Sequence, residues 1–294
     1  MNNLLESLRS RVLVCDGAMG TQLMRRGMMP GECGMLWNVS RPDDVAHVHR
    51  EYYKAGCQMI TTNSFGGSRV ALDQHGMADR VAELNLASAR LARQVAGQDV
   101  WVLGDVGPFG GFLEPVGDVS ETRLDEIFRE QIAALIEGGA DAILVETMSD
   151  PNEAAVAVRA AKKLSSIPVI ATFAFQKAGP KFCTMMGSTV EDVVNASVKA
   201  GADIVGANCG TSLDLEDYVT LAETLVAAAG PVPVIVQPNA GSPRIMGADA
   251  VYDALPEGMA QLALRLRKTG VRVIGGCCGT TPAHLEAMAR ALRS

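Results

Sequence analysis

Aromatic residues make up only 4% of this 294-residue chain: two tryptophans, four tyrosines and seven phenylalanines. Alanine, glycine and valine dominate instead, a composition suited to tight packing of helices on a sheet. With 48% of residues hydrophobic, a large core is expected. No run of lysine or arginine stands out and the net charge is −7, which argues against nucleic acid as a partner. No stretch reaches the roughly 20 apolar residues of a membrane span. The opening Met1-Asn2-Asn3-Leu4-Leu5-Glu6 has neither a basic patch nor an extended apolar segment. Seven cysteines without secretory features point to a reducing compartment, so the cytoplasm is the expected location. The CxxC spacing of common zinc modules is absent, as are a P-loop and a GxGxxG turn.

What is present is alternation. Short apolar runs at Val12–Cys15, Met59–Thr62, Val100–Gly104, Ala142–Val145, Val169–Phe173, Ile204–Ala207, Val234–Val236 and Val271–Ile274 read as buried parallel strands. Helical patterns fall between them, at Pro42–Ala55, Asp79–Val95, Glu121–Glu137, Pro151–Leu164, Val190–Lys199 and Leu215–Ala229. Ser40 with Asp43 three residues on predicts a capping-box-like start to the first, and Gly56 and Gly201 predict C-terminal stops. Eight strands alternating with helices and no linker-like break predict an α/β fold, a (β/α)8 TIM barrel, as a single domain over 1–294. A doubly wound open sheet is the competing architecture. Its glycine-rich phosphate loop would follow the first strand, where this chain has Asp16-Gly17-Ala18-Met19-Gly20-Thr21.

Polar residues follow the strands, where a barrel builds its active site. They are Asp16, Thr62-Asn63, Asp105, Glu146-Thr147, Asn208-Cys209, Gln237 with Asn239, and Cys277-Cys278. Three thiolates, Cys209, Cys277 and Cys278, with an open fourth position would suit zinc and a sulfur substrate. Adjacent residues on a strand face opposite ways, so Cys277 and Cys278 can share a metal only across a sharp bend, for which Gly275, Gly276 and Gly279 supply freedom. On spacing alone, two buried apolar thiols or a strained vicinal disulfide are equal alternatives. Cys15, Cys33, Cys57 and Cys183 read as core or incidental thiols. His47 and His49 do not share a helix face and read as surface or packing residues. His75 and His284 have no paired partner in sequence, and His284 falls in the first turn of the last helix.

Asp16-Gly17-Ala18-Met19-Gly20-Thr21, Glu146-Thr147, Asn208-Cys209, Pro238-Asn239-Ala240-Gly241 and Gly275-Gly276-Cys277-Cys278-Gly279-Thr280-Thr281-Pro282 occur in order. Together they resemble the zinc-dependent homocysteine S-methyltransferases, which include the homocysteine domain of cobalamin-dependent methionine synthase and the betaine–homocysteine methyltransferases. The resemblance covers essentially the whole chain. It implies a zinc methyltransferase making methionine, with Cys209, Cys277 and Cys278 as ligands. The Asp16-Gly17 turn would hold the amino-acid end of homocysteine, with the Gly17 and Ala18 amides toward its carboxylate. Glu146 would accept the ammonium, the competing role being a salt bridge to an arginine. Thr147 and Asn208 would line the substrate site, and Asn239 would shape the fourth zinc position.

The methyl donor is less specified. Methylcobalamin or a corrinoid protein, a small sulfonium such as S-methylmethionine, and a quaternary ammonium such as betaine all fit an open zinc centre. Betaine calls for an aromatic cage, which Thr62-Asn63-Ser64-Phe65-Gly66-Gly67-Ser68 does not suggest. Sulfonium-using relatives usually carry arginine after the double cysteine, where this chain has Gly279. A corrinoid donor is therefore expected, with a corrinoid or folate-linked methyl-carrier protein as partner and Pro108–Ser120 as a lid or partner surface. A non-catalytic subunit that holds zinc and docks a corrinoid protein is the reading of another class. An aldolase-type barrel would need a lysine at a strand end, and none falls there.

Overall fold

The structure is a computed structural model that describes residues 3–246 and 249–293. Met1 and Asn2, in the opening stretch read above, lie outside the described residues, as do 247–248 and 294. Eight parallel strands form the main sheet: β1 Leu13–Val14, β2 Met59–Thr61, β3 Trp101–Val106, β4 Ala142–Met148, β5 Val169–Phe173, β6 Ile204–Asn208, β7 Val234–Gln237 and β8 Val273–Ile274. Neighbours in sequence are neighbours in space from β2 to β8, and β8 pairs with β1. The ring closes where Cys15 bridges Met59 and the Gln58 N–H donates to Val14 O at 2.8 Å. The fold is the expected (β/α)8 barrel.

Strand alternation separates two cores. Leu13, Cys15, Met59, Trp101, Leu103, Ala142, Leu144, Ile170, Ile204, Ile235 and Val273 pack together inside the ring. Leu4 and Leu8, from the short helix Leu4–Ser10, join that interior cluster. Residues of opposite parity, such as Val14, Ile143, Val145, Val169, Val205, Val236 and Ile274, pack outward in the larger cluster shared with the helices. That helical layer consists of α1 Pro42–Lys54, α2 Val81–Ala96, α3 Glu121–Glu137, α4 Pro151–Leu164, α5 Val190–Ala200, α6 Leu215–Ala229, α7 Pro256–Thr269 and α8 Pro282–Arg293. The predicted runs end one or two residues early at β3, β6 and β7, because the polar residues Asp105, Asn208 and Gln237 still belong to the ladder. Two antiparallel hairpins, Phe175–Ala178 with Lys181–Thr184 and Arg244–Met246 with Asp249–Val251, escape the sequence reading.

The capping prediction at α1 is corrected. Arg41 is the N-cap and no side chain caps the helix, since the Ser40 hydroxyl donates to Leu36 O in the preceding turn. Pro42 at the first helical position removes one of the amides a cap would serve. Capping boxes form instead at Thr189 with Asp192 and at Asp214 with Asp217. Gly56 and Gly201 end their helices at φ 91° and 106°, as expected.

A repeated device ties alternate strands. The residue before β2, β4 and β6 accepts a hydrogen bond from an amide of the preceding strand while its own N–H donates back. Gln58 does so with Val14, Asp141 with Val102 and Asp203 with Val169. Arg93 and Lys162 pair with the two carboxylates. Asp203→Ala should leave the Val169 amide without a partner and cost about 2 kcal/mol, a drop of roughly 4–8 °C in melting temperature. Thermal unfolding checks this, with metal uptake unchanged because Asp203 lies at the far end of β6 from Cys209.

Candidate active site

Inward parity continues one layer beyond the apolar interior. Thr61, Asp105, Glu146, Thr172, Asn208 and Gln237 replace aliphatic residues there, at the C-terminal ends of their strands. Thr61, Asp105, Glu146 and Gln237 line a cavity of about 640 Å3, together with Gly17, Ala18, Thr147, Cys209, Cys277 and Cys278. A cavity of this size exceeds a four-carbon amino acid and leaves room for a second reactant.

The three cysteines converge at its wall. Cys209 Sγ and Cys278 Sγ are 3.5 Å apart, and all three sulfurs lie within 4.8 Å of one another. A tetrahedral zinc with sulfur bonds near 2.3 Å holds its sulfurs roughly 3.8 Å apart, so the donor set fits. All three thiols are free, which removes the vicinal disulfide. The two adjacent cysteines reach one point because the chain turns at once: the Thr280 N–H donates to Cys277 O at 3.1 Å, and Gly279 takes φ 79°. That is the position where a type II turn demands a positive φ. Gly275 and Gly276 serve differently, since neither adopts a positive φ. A Cβ on them would press within 2.8 Å of Cys15 Cβ and 2.6 Å of Thr280 Oγ1. The shared sulfurs titrate together: hydrogen bonds with Cys209 and Cys277 lower the Cys278 thiol, while those with Cys209 and Cys278 raise Cys277.

Asn208 braces this cluster rather than facing open cavity. Its Oδ1 accepts from the Thr147 N–H at 2.9 Å and Thr172 Oγ1 at 2.8 Å, and its Nδ2 donates to Thr147 Oγ1 at 2.6 Å. Nδ2 also reaches Cys277 Sγ at 3.9 Å. Thr147 at φ 60° and Cys209 at φ 47° are both left-handed, which costs of order 1–3 kcal/mol each and holds only where neighbours enforce it. Asn239 is buried; its Nδ2 donates to Gly210 O at 3.1 Å, and its Oδ1 has no partner. The Tyr218 hydroxyl accepts from the amides of both Gly210 and Asn239, pinning the loop after β6 to the loop after β7.

The Asp16 turn is knitted to the cysteine turn. The Ala18 N–H donates to Thr280 Oγ1 at 3.1 Å, and Thr280 Oγ1 donates to Cys277 O at 2.7 Å. Of the two amides expected to meet a substrate carboxylate, Ala18 thus has a partner within the chain. Asp16 accepts from the Thr61 N–H and Oγ1, each at 2.8 Å. Burial still pushes its carboxyl up to about 7. Glu146 is pushed up to about 8 by burial and by the charges of Asp16 and Cys278. Asp105, expected at the barrel mouth but assigned no role there, is raised well above the usual range by burial and by Glu146, and its Oδ1 has no partner. No cationic side chain acts on any of the three among the described residues, so the arginine salt bridge for Glu146 does not form there. The inward parity of β3 was the signal that could have found Asp105.

Among the remaining histidines, His75 lines the cavity, which sequence did not suggest. His49 is fully buried, as a packing residue would be. His284, in the first turn of α8, bonds Ala254 O through Nε2 at 2.8 Å.

The family model for homocysteine S-methyltransferase matches residues 13–292. Methionine synthase from Mycobacterium tuberculosis is 33% identical over 309 aligned positions, taking in 99% of this chain and 25% of that protein. The Mycobacterium leprae methionine synthase is 31% identical over the same shares. The chain thus spans about a quarter of the length of these curated relatives. Among solved structures, the metallated form of the homocysteine methyltransferase MmuM from Escherichia coli superposes with a TM-score of 0.78 at 25% identity. That match covers 98% of this chain and 99% of that one. Its oxidized form gives 0.77 at 26% identity, with both chains fully covered.

The carboxylate cluster sets a pH dependence for the ligand-free protein. A carboxyl whose folded pKa lies above its unfolded value holds a proton in the fold that the unfolded chain has released, so stability falls as pH rises between the two values. For Glu146 that window runs from about 4.5 to about 8. Glu146→Gln should flatten the decline and raise the melting temperature at pH 8 by about 2 °C, the shift of roughly 1 kcal/mol in a protein of this size. A melting temperature at pH 8 equal to wild type would contradict the assignment.

Proposed function

Because the chain belongs to the homocysteine S-methyltransferase family, we propose that it transfers a methyl group to the thiol of homocysteine at a zinc centre formed by Cys209, Cys277 and Cys278. The observation carrying this reading is the three-sulfur cluster at the wall of a cavity on whose acidic layer no cationic side chain acts among the described residues. Among the described residues the metal-capable group contains three members, which favours an open catalytic site over a closed structural one. Bound there, zinc would supply the positive charge that holds an incoming thiol as an electron-rich thiolate near neutral pH.

The protein's own residues place the rest of the substrate. Glu146 and Asp105 face the cavity with raised pKa values, and an ammonium group between them offsets the cost of burying both charges. Gly17 and Ala18 of the Asp16 turn line the same cavity and hold the amino-acid end. Asn208 orients Cys277 and Thr147 together, which fixes the sulfur acceptor relative to the ammonium site.

The donor is a methylcobalamin or a corrinoid-linked methyl carrier. Two features support this. The curated relatives at 33% and 31% identity are methionine synthases. The cavity wall also contains a single aromatic, Phe65, among the described residues, which is too few for a quaternary-ammonium cage. Around the mouth, Met29, Phe65, Phe112, Val116 and Met185 on the connections that follow the strands, with Met24 on the short helix Gly20–Arg25, are exposed, an apolar rim suited to a carrier protein. The loop Pro108–Ser120 carries two of them. Its root is fixed by the Phe109 N–H donating to the buried Glu153 at 2.8 Å and by Ser68 Oγ donating to Phe109 O at 2.7 Å.

Zinc-loaded protein supplied with L-homocysteine and free methylcobalamin under reducing conditions should form methionine, and betaine should not replace the donor. Methionine from S-methylmethionine but not from methylcobalamin would overturn the donor assignment. Homocysteine binding should release about one proton per site. Cys277→Ser should lose zinc and activity together, and an active metal-free variant would end the mechanism.

A further inference from the structure

Gly279 is needed for more than its positive φ. A Cβ at this position would overlap Cγ, Cδ2 and Cβ of Tyr252, so the tyrosine ring already fills the space beside the cysteine turn. Tyr252 lies on the segment between the Asp249–Val251 strand and α7, a stretch without regular structure. The segment is nevertheless anchored. Two residues on, the Ala254 N–H donates to Ala240 O at 3.0 Å, and the Ala240 N–H donates to Cys278 O at 3.0 Å. The Ala254 carbonyl accepts from His284 Nε2 at 2.8 Å, while His284 Nδ1 accepts from the Thr281 N–H at 3.1 Å. Four pieces of chain are thereby locked around Cys278: the loop after β7, the Tyr252 segment, the cysteine turn and the start of α8. The Tyr252 ring thus packs on the cysteine turn, and its hydroxyl and the Cys278 sulfur lie within each other's electrostatic reach. The cavity wall includes Cys278 but not Tyr252, so this contact lies on the flank of the sulfur away from the substrate.

We propose that Tyr252 is a positioning residue of the metal centre, its hydroxyl donating to Cys278 Sγ while its ring seals that flank over Gly279. This rests on the zinc reading of the three cysteines. Three thiolates on a divalent zinc leave one net negative charge, and an O–H dipole aimed at one sulfur draws charge from it. Asn208 Nδ2 reaches the second sulfur, Cys277, in the same way. The protein sulfurs are thereby made less electron-rich than a substrate thiolate at the open position. With the Tyr252 flank closed, that open position faces the cavity alone. The same contact explains why glycine follows the double cysteine here: a longer side chain at 279 and this tyrosine compete for one volume.

The test compares wild type with Tyr252→Phe, which keeps the ring and removes the hydroxyl. Zinc affinity is read by chelator competition, and the sulfur-to-metal charge-transfer band by cobalt(II) substitution. Tyr252→Phe is expected to bind zinc about tenfold more weakly, as loss of an outer hydrogen bond to a ligand does. Its cobalt band should move to longer wavelength, because the uncapped sulfur gives up an electron more easily. The metal-free variant should melt at the wild-type temperature, which separates the effect from a merely structural one. Unchanged affinity with an unchanged band overturns the role of Tyr252 and leaves the centre standing. A wild-type protein that takes up no zinc overturns the reading beneath it.

Discussion

Strand β7 lies between the two strands that lead to the sulfurs, and two strand spacings in a flat sheet amount to about 9.5 Å. Cys209 and Cys278 nevertheless bring their sulfurs to 3.5 Å. Curvature accounts for the difference. Once β1 pairs with β2 and the ring closes, chains leaving the strand ends converge over the barrel axis, and side chains from non-adjacent strands meet. The metal-capable cluster, the acidic layer and the cavity all depend on that closure, because none of them is assembled from one strand or one loop.

The site is built at a cost to the empty protein. Asp16, Asp105 and Glu146 are enclosed together with no cationic side chain acting on them among the described residues, and the Cys278 sulfur adds to the negative charge around Glu146. On the proposed reading, cations from outside would complete this arrangement, a metal at the sulfurs and the substrate's ammonium at the carboxylates. Binding energy at the ammonium end can then orient the sulfur at the reacting end.

Rigidity around the sulfurs comes from residues outside the cavity lining. Asn208 holds Thr147 and Cys277, the Tyr218 hydroxyl joins the loops after β6 and β7, and Thr280 couples the Asp16 turn to the cysteine turn across more than 260 residues of sequence. The left-handed backbone at Thr147 and Cys209 is the local strain that this bracing sustains. Lost bracing would loosen the sulfurs without removing one, which is why these positions matter to a centre they do not ligate.

Much of this was legible in the chain by itself. The eight apolar runs and their spacing specified the barrel, since periodicity and glycine stops are local properties. The order of the Asp16, Glu146, Asn208-Cys209 and Cys277-Cys278 motifs carried the family, because each is a contiguous string of residue types. Ser40 misled the reading of the first helix, as capping depends on where a hydroxyl points and Leu36 O captured it. Asp105 lay in view at the end of β3, yet its importance came only from packing beside Glu146 with an oxygen left unpartnered. Tyr252 had no signal at all: 26 residues before Cys278, in an irregular segment, it packs over the cysteine turn only because Ala240 and His284 fold the segment back. Sequence determined the fold and the donor atoms, which are matters of pattern and chemical type. Tertiary structure alone decided which charges share a cavity and which hydrogen bonds surround the sulfurs, because those are distances between residues that the chain keeps far apart.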